Sequence, residues 1–356
     1  MGLALLRRHR KLKSARETLS CPPPAAGDLA EPLLVGSEPS DDSHPSVSVI
    51  VPAYGVAHLL GEALVSLLAQ SRPDWEAIVI DDGAPDDVAA AFAPFAGDRR
   101  FRLLQTDNQG LATARNRAIK VARAPFVALL DGDDCYQPDY LEQMLAEIQA
   151  DPGLGFVSCD AVGFGAGGRA GSRQSELYPM SGPVSLDRVL SREVNIFVAA
   201  IIRRTALEEV GGFDGRLRAV EDLDLWIRLL SAGWRGRVLT QVLASYRRRP
   251  GSLSTDARPM LAATCEVYEK ARAALQERPE GEVAKQMLSG ARQRLRWVEG
   301  EEKILRGDVS AGLLLLSDGE QRSPRWRLAL PVMRRAPGLA MLLVRLRTRL
   351  PILRAF

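Results

Sequence analysis

The sequence contains few cysteines, and none in the close pairs that zinc sites or disulfide scaffolds use. Its 356 residues include only Cys21, Cys135, Cys159 and Cys265. Structural zinc sites need closely spaced ligands, and small secreted domains are dense in disulfides. The scattered cysteines therefore argue against both classes and predict a reducing, cytoplasmic location.

Long uninterrupted hydrophobic runs are also lacking. The apolar run in the N-terminal MGLALLRRHRKLK is too short for a signal peptide and is followed by charge instead of a small-residue cleavage site. The most apolar C-terminal piece, LALPVMRRAPGLAMLLVRL, is interrupted by Arg334 and Arg335. A membrane span needs about 18 uninterrupted apolar residues. The sequence therefore predicts neither secretion nor a transmembrane helix.

Acidic residues are missing from both ends of the chain, although the net charge is only +3. Residues 7–16 carry six basic residues and no acid, and every charged residue from 321 to 356 is an arginine. Basic ends that are also rich in apolar residues favour an anionic surface, and a lipid headgroup layer fits better than nucleic acid. The sequence predicts peripheral contact with the inner face of the cell membrane, mainly through the C-terminal region.

The middle of the chain has the composition of a globular α/β domain. Hydrophobic residues make up 46% of the sequence, which is enough for a sizeable core. The runs VSVIVPAY, AIVIDDG, RFRLLQT and FVALLDGDD alternate with helix-like segments. Strands this continuously apolar are typical of a mostly parallel central sheet with helices on both faces. The sequence thus predicts an α/β fold.

Three regions follow from these patterns. Residues 1–46 form a basic segment and a linker, predicted to be disordered because residues 21–46 mix Pro, Ser, Gly and acids without a period. Folding is expected to begin at Val47, and residues 47–255 form the α/β domain. Residues 256–356 are predicted to be a helical, arginine-rich C-terminal appendage.

Polar residues gather where the predicted strands end. Pro52 and Tyr54 follow the first strand, Asp82 follows the second, and LLDGDDCY, at residues 129–136, follows the fourth. In parallel sheets, ligands bind beyond the carboxyl ends of the strands. These residues are therefore expected to share one rim of the sheet.

The motif LLDGDDCY places Asp131, Asp133 and Asp134 within four positions. Their mutual repulsion requires an offset from solvent, from cations of the protein or from a metal. Three interpretations remain open from these residues alone. The motif is a polar turn, a carboxylate site for Mg²⁺ or Mn²⁺, or the Asp-x-Asp nucleophile motif of a phosphatase.

Two further stretches carry candidate chemistry. In EDLDLWIRLL, the helix dipole alone accounts for Glu221 and Asp222 in the first turn, but a carboxylate there also suits a general base aimed into a cleft. In YRRRPGSLS, the arginines that end at Arg249 form either a solvated basic loop or a contact with phosphate oxygens.

Taken in order, VSVIVPAYG, AIVIDDGAPDD, DNQGLATARNRAI, LLDGDDCY, VGGFD, EDLDLWIRL and YRRRPGSLS resemble the family-two glycosyltransferases over residues 47–255. The resemblance implies a GT-A-type fold, a nucleotide-sugar donor, Mg²⁺ or Mn²⁺, and transfer with inversion. It also implies a glycan or lipid-linked acceptor in cell-envelope polysaccharide synthesis. A phosphatase or phosphotransferase and a non-catalytic nucleotide-sugar-binding module remain the alternatives.

The resemblance also assigns roles residue by residue. Pro52, Tyr54 and Asp82 would line the nucleoside pocket, with Arg115 beside it. Asp131 and Asp133 match the family's metal-binding Asp-x-Asp motif, and Asp133 would be the direct ligand. Asp134 would face the turn or the donor sugar.

In the same set of motifs, Asp222 matches the catalytic base of the family. Glu221, the residue before it, would contact the substrate. Two residues depart from the family pattern. Gly55 stands where an Asn commonly follows the Tyr, and Arg249 stands where a His commonly precedes Pro-Gly. The second departure bears on how the leaving diphosphate is held, since an arginine carries a permanent charge.

Overall fold

The computed structural model describes residues 33–35, 44–166, 170–317 and 324–349. The strands are β1 (Leu33–Val35), β2 (Val47–Ala53), β3 (Trp75–Asp82), β4 (Phe101–Thr106), β5 (Phe126–Leu129), β6 (Cys135–Tyr136), β7 (Leu154–Gly165), β8 (Ala200–Arg203) and β9 (Arg235–Arg248). Within the described residues they form one sheet, in the order β1-β4-β3-β2-β5-β8-β7-β9-β6.

The first helices are α1 (Ala57–Leu68), α2 (Val88–Phe92), α3 (Leu111–Val121), α4 (Tyr140–Ala150), α5 (Gln174–Leu177), α6 (Leu186–Leu190), α7 (Arg204–Val210) and α8 (Glu221–Ser231). The C-terminal region contributes α9 (Ala257–Ala274), α10 (Pro279–Leu305), α11 (Val309–Ser317), α12 (Pro324–Arg335) and α13 (Pro337–Arg349). Short 3₁₀ turns occupy Ala93–Phe95 and Leu253–Thr255.

The first half of the sheet matches the sequence prediction. Strands β4, β3, β2 and β5 are parallel neighbours, and their side chains are buried on both faces. The register pairs Ala53 with Asp81 and Asp82 with Thr106, so the carboxyl ends of these strands lie at one edge. The second half is mixed, because β8 runs antiparallel to both β5 and β7. The predicted α/β fold with flanking helices is confirmed.

One sequence prediction is wrong for three residues. Leu33–Val35 lies inside the predicted disordered linker but pairs antiparallel with β4, with Leu34 opposite Leu104. The backbone groups on the free side of β4 offer a template to any nearby extended segment, and a short apolar segment suits that position. Ordered structure therefore begins before Val47. The remainder of residues 1–43 lies outside the described residues.

The two faces of the sheet are covered by different sets of helices. Helices α1 and α4 pack on one face. Helices α3, α7 and α8 pack on the other face, where the same hydrophobic cluster also includes residues of α9 and α10. Among the C-terminal residues of this cluster are Val267, Tyr268 and Leu288. The start of the C-terminal region is thus packed into the core of the α/β domain.

A smaller core holds the last helices together. The end of α10 packs with α11, α12 and α13 around Ile304, Leu316, Met333 and Val344. The described part of the chain contains no helix that is both long enough and apolar enough to cross a membrane.

Candidate active site

A tight turn after β5 carries the three clustered aspartates. The Asp134 amide donates to the Asp131 carbonyl over 2.9 Å, and the Gly132 amide donates to the Pro52 carbonyl over 3.2 Å. A Cβ atom on Gly132 would lie 2.7 Å from that same carbonyl oxygen, closer than real Cβ contacts. Glycine is therefore needed at position 132 for the turn to lie against the end of β2.

Each aspartate of the turn has a different cationic or amide partner. Asp131 Oδ1 accepts from Arg115 over 2.6 Å, and Asp133 Oδ2 accepts from Arg249 Nε over 2.7 Å. Asp134 is buried, and its Oδ1 accepts from the backbone amide of Arg247 in β9 over 2.7 Å. Cations of the protein thus offset part of the repulsion, and the Asp134 carboxylate is bonded to the backbone of β9.

Burial raises the pKa of Asp134 well above its ordinary value, and repulsion from Asp131 and Asp133 adds to that shift. The hydrogen bond from the Arg247 amide works in the opposite direction. A cation close to the turn would favour the ionised form of Asp134 and oppose this shift.

Arg115 connects this turn to the start of α8. Its guanidinium is 1% exposed and donates to Asp131 Oδ1 and to Glu221 Oε1, each over 2.6 Å. Burial alone would lower the pKa of Arg115, but the carboxylates of Asp131 and Glu221 outweigh it and the net shift is upward. Arg115 is thus a fixed positive charge between two carboxylates, and it lies beneath the rim instead of on the surface of a nucleoside pocket.

The residue after Arg115 holds the segment that leads into α8. The Asn116 side chain donates to the Phe213 carbonyl over 2.7 Å and accepts from the Phe213 amide over 2.8 Å. Residues 115 and 116 of α3 therefore fix both ends of the segment between Phe213 and Glu221. The sequence identified Arg115 but gave no sign of this second contact.

Asp222 lies in the first turn of α8, directly after a strained residue. Val220 precedes the helix with φ +59°, a left-handed conformation that a β-branched residue rarely adopts. Burial raises the pKa of Asp222, and repulsion from Asp131 adds to the shift, whereas the Leu223 amide, Arg115 and Arg192 oppose it. A carboxylate with a raised pKa is a stronger proton acceptor than an ordinary aspartate once it is ionised. Asp222 also lines a pocket.

The residues predicted for the nucleoside pocket lie at the ends of β2 and β3. Pro52 is half-buried and Tyr54 is 51% exposed. Asp82 is buried, and its two oxygens accept from the backbone amides of Gln109 and Gly110 over 3.1 and 2.8 Å. Burial raises the pKa of Asp82, and these two hydrogen bonds oppose the shift. Asp82 thus orders the loop that leads into α3, at the rim of the sheet.

Sequence reasoning missed Asp86. Its carboxylate accepts from the Gly55 amide over 2.9 Å and from the Ala57 amide over 2.6 Å. These contacts fix the turn after Tyr54, in which Gly55 adopts φ +67°. Asp86 begins the second pair of acidic residues in AIVIDDGAPDD, shortly after the pair that ends β3. This second pair is the sequence feature from which Asp86 could have been predicted. The departure at Gly55 is therefore accommodated by a turn that favours glycine.

Residues 48–211 match the model of the family described as glycosyl transferase family 2. The matched segment contains the strand ends with Pro52, Asp82 and the Asp131–Asp134 turn, together with Arg115. The matched segment belongs to glycosyltransferase family 2. It is therefore a glycosyltransferase, and neither a phosphatase nor a non-catalytic module is favoured.

Curated bacterial relatives extend this similarity beyond the matched domain. The enzyme is 29% identical to the putative glycosyltransferase EpsE of Bacillus subtilis over 212 residues, which are 58% of this chain and 74% of EpsE. It is 28% identical to the putative teichuronic acid biosynthesis glycosyltransferase TuaG of B. subtilis, over 60% of this chain and 82% of TuaG. It is 33% identical to the succinoglycan biosynthesis protein ExoO of Rhizobium meliloti, over 61% of this chain and 64% of ExoO.

Solved structures establish the fold of the family 2 enzyme. S. aureus TarS 1–349 in complex with UDP-GlcNAc is similar with a TM-score of 0.59 and 21% identity, over 85% of this chain and 91% of that one. The mannosyltransferase PcManGT of Pyrobaculum calidifontis, in complex with GDP-Man and Mn²⁺, gives a TM-score of 0.53 at 19% identity, over 94% and 92% of the two chains. The predicted GT-A-type fold is confirmed.

Asp131 and Asp133 are the carboxylates that would hold a divalent cation at this rim. The Asp131 and Asp133 side chains are 27% and 17% exposed, so both are accessible from the rim. In the described part of the chain, no group of three or more His, Cys, Asp or Glu side chains is arranged to hold a metal. Mg²⁺ is commonly held by one or two carboxylates together with substrate phosphates, so two carboxylates suffice. Arg249 occupies one oxygen of Asp133.

Replacing Arg115 with Lys should weaken both the transfer activity and the stability of the fold. A single ammonium group cannot reproduce the two separate contacts to Asp131 and Glu221, and one buried carboxylate loses its partner. We expect the transfer rate to fall by at least tenfold and the free energy of unfolding to fall by about 3 kcal/mol. Urea unfolding and a transfer assay with a nucleotide sugar measure the two effects.

The matched control is Arg102→Lys. Arg102 is also a buried arginine paired with a buried carboxylate, Glu76 at 2.9 Å, but the pair lies near the amino-terminal ends of β4 and β3, away from the rim. This variant should lose stability and keep its transfer rate at a temperature where it is folded. Equal loss of rate in both variants, at equal folded fractions, would contradict a specific role for Arg115 at the rim.

Proposed function

We propose that the enzyme transfers a sugar, with inversion, from a nucleotide-diphosphate donor to a hydroxyl group of a glycan or lipid-linked acceptor. The supporting observation is the contact of Arg115 with both Asp131 and Glu221. This contact holds two parts of the proposed site along one rim of the sheet. One is the group of carboxylates on the donor side, and the other is the start of α8, which carries Asp222.

The donor is expected to lie across the ends of β2, β3 and β5. Tyr54 is an exposed aromatic side chain suited to stacking on a base, and Pro52 and Asp82 lie at the neighbouring strand ends. Two structural neighbours contain UDP-GlcNAc and GDP-Man, which supports a nucleotide-sugar donor of this class. Asp131 and Asp133 would hold a divalent cation, and Arg249, next to Asp133, carries a permanent positive charge toward the diphosphate.

The reaction follows as a single displacement. The acceptor hydroxyl gives its proton to the Asp222 carboxylate while its oxygen forms a bond to the anomeric carbon from the face opposite the diphosphate. The bond between the anomeric carbon and the diphosphate oxygen breaks, and the nucleoside diphosphate leaves with the electron pair. A cation held by Asp131 and Asp133 would neutralise the charge that develops on this leaving group.

The relatives suggest the class of acceptor. TuaG is described as a protein of teichuronic acid biosynthesis, and ExoO as a protein of succinoglycan biosynthesis. Both products are polysaccharides. We therefore propose that this enzyme also extends a cell-envelope polysaccharide.

Replacing Asp222 with Asn tests the proposed base. Asparagine keeps the size of the side chain and the oxygen that accepts from the Leu223 amide, but it cannot take a proton from the acceptor. Donor binding should persist, and the transfer rate should fall by about 10²- to 10⁴-fold. Calorimetric titration of the donor with Mn²⁺ and a transfer assay under the same conditions measure both quantities.

Asp187→Asn is the matched control, because Asp187 is an exposed carboxylate in the first turn of α6. It undergoes the same chemical change and should keep both donor binding and transfer. Full transfer activity in Asp222→Asn would show that another group is the base.

We also propose that the last helix lies on an anionic membrane surface. Leu339, Leu342, Leu343 and Leu346 of α13 are all exposed, and their spacing of i, i+3, i+4 and i+7 places them on one face of the helix. Ala340 and Val344, on the other face, are buried in the small C-terminal core. The exposed face therefore remains apolar while the helix is folded, and exposed Arg334 and Arg335 flank it.

The double variant Leu342→Asp/Leu346→Asp should reduce binding to vesicles of anionic phospholipid by at least tenfold in a sedimentation assay. Two carboxylates on the apolar face oppose both insertion and the negative surface. Val65→Asp is the control, because Val65 is 55% exposed on α1 of the α/β domain. Unchanged sedimentation of the double variant would contradict membrane contact through α13.

A further inference from the structure

A small pocket beside Asp222 contains none of the residues proposed to bind the nucleotide donor. It has a volume of ≈ 130 Å³. Its lining residues come from the α6 region, the start of α8 and the start of α9, and they are Val189, Arg192, Val194, Ile196, Val220, Asp222, Leu223, Trp226 and Met260. A protein cavity of about 150 Å³ holds a molecule of benzene, so this pocket accommodates part of a sugar residue.

The chemistry of the lining combines apolar walls with three polar groups. The walls are aliphatic, which suits the C–H face of a sugar ring or an apolar aglycone. The polar groups are the Asp222 carboxylate, the Arg192 guanidinium and the Trp226 indole. Trp226 is 1% exposed, and its Nε1 is a buried donor with no hydrogen-bond partner among the described residues. A buried indole N–H usually has a partner, so this donor is an unsatisfied polar group in a residue of the pocket wall.

Arg192 occupies a position where the backbone favours glycine. It lies after the C-terminus of α6 with φ +64°, and its amide donates to the Val189 carbonyl over 3.2 Å. Helices commonly end with a glycine in this left-handed conformation, because other residues are strained there. Glycine would make the same backbone hydrogen bond without the strain, so the exposed arginine at this position points to a role for its side chain.

The second strained residue lines the same pocket. Val220 has φ +59° and immediately precedes Glu221 and Asp222. Within the described residues, Arg192 and Val220 are the non-glycine positions with positive φ, and both line one cavity. Strained residues of this kind cluster at binding and catalytic sites.

We propose that this pocket is the acceptor subsite and that Arg192 selects an acceptor that carries an anionic group, either a carboxylate or a phosphate, on the sugar ring that presents the reacting hydroxyl. The proposal rests on the proposed glycosyl transfer with Asp222 as the base. The ring lies against the aliphatic walls, its reacting hydroxyl meets Asp222, and its anion meets Arg192. A uronic acid and a phosphorylated sugar satisfy the same contact.

The C-terminal region contributes to this subsite. Met260 of α9 lines the pocket, and the Tyr268 hydroxyl of the same helix donates to the Leu190 carbonyl at the end of α6 over 2.9 Å. Lys270 Nζ lies 2.5 Å from carboxylate oxygens of Asp214 and Asp224, which joins α9 to α8. The start of α9 is therefore held in place as a wall of the acceptor subsite.

The test compares three p-nitrophenyl β-D-glucosides that differ in charge: the neutral glucoside, the glucuronide and the glucoside 6-phosphate. Their dissociation constants are measured directly by calorimetric titration, without a donor. The wild-type protein should bind at least one anionic ligand about tenfold more tightly than the neutral one, the effect of a modest charge-assisted contact. Preference for the glucuronide identifies a uronate acceptor, and preference for the phosphate identifies a phosphorylated one. Equal binding of all three would overturn the proposal.

Arg192→Gly is the decisive variant, because glycine suits the left-handed backbone. Its melting temperature should equal or exceed that of the wild type, and the preference for the anionic ligand should fall to about one. Arg306→Gly is the matched control, since Arg306 is an arginine just after α10 whose side chain is 76% exposed. Its preference should be unchanged. A preference that persists in Arg192→Gly, or that is lost equally in Arg306→Gly, would overturn the role of Arg192.

Met260→Trp tests the location of the subsite independently of charge. Met260 is half-buried, so a larger side chain can enter the pocket without disturbing the core. All three glucosides should bind more weakly by about fivefold or more, and UDP-GlcNAc and GDP-Man should be unaffected. Unchanged glucoside binding would place the acceptor elsewhere, whereas failure of the wild type to bind any nucleotide sugar would instead contradict the proposed function.

Discussion

The structure of the rim depends on one buried arginine between two carboxylates. Arg115 reaches from α3 to Asp131 at the end of β5 and to Glu221 at the start of α8. These segments are far apart in sequence, and each contributes a different part of the proposed chemistry. A fully buried guanidinium is tolerated only because both partners are charged and close. The same contact fixes the separation between the donor carboxylates and Asp222.

The C-terminal helices supply the other half of this constraint. Lys270 of α9 bridges Asp214 and Asp224, and Arg228 pairs with Asp224 over 2.7 Å. Hydrogen bonds from Arg216 and Lys270 lower the pKa of Asp214 even though its burial acts in the opposite direction. Helix α8 is thus held by α3 from one side and by α9 from the other. The boundary predicted at residue 255 divides the sequence into two regions. One hydrophobic core nevertheless contains residues from both sides of that boundary.

The sequence was informative wherever local pattern determines the structure. Continuously apolar runs predicted the parallel strands, and polar residues at their ends predicted that Asp82, Asp131 and Asp133 share a rim. The contacts that complete the site could not be predicted, because they join residues distant in sequence: Arg115 with Glu221, Asp86 with Gly55, and Lys270 with Asp224. Sequence analysis did not identify Arg192, because the feature that distinguishes this residue is its backbone conformation and not its sequence context. The linker prediction failed at Leu33–Val35 because composition does not reveal a free strand edge.

The central claim is that this rim binds a nucleotide-diphosphate sugar with a divalent cation shared between Asp131, Asp133 and the diphosphate. A thermal-unfolding series with UDP-GlcNAc and GDP-Man, each with Mn²⁺ and with EDTA, tests it most directly. A donor at about 100 times its dissociation constant stabilises the folded state by about 2.7 kcal/mol. We expect one donor to raise the unfolding temperature by several degrees with Mn²⁺ and to have little effect with EDTA. The same rise with EDTA, or no rise with either donor, would contradict the claim.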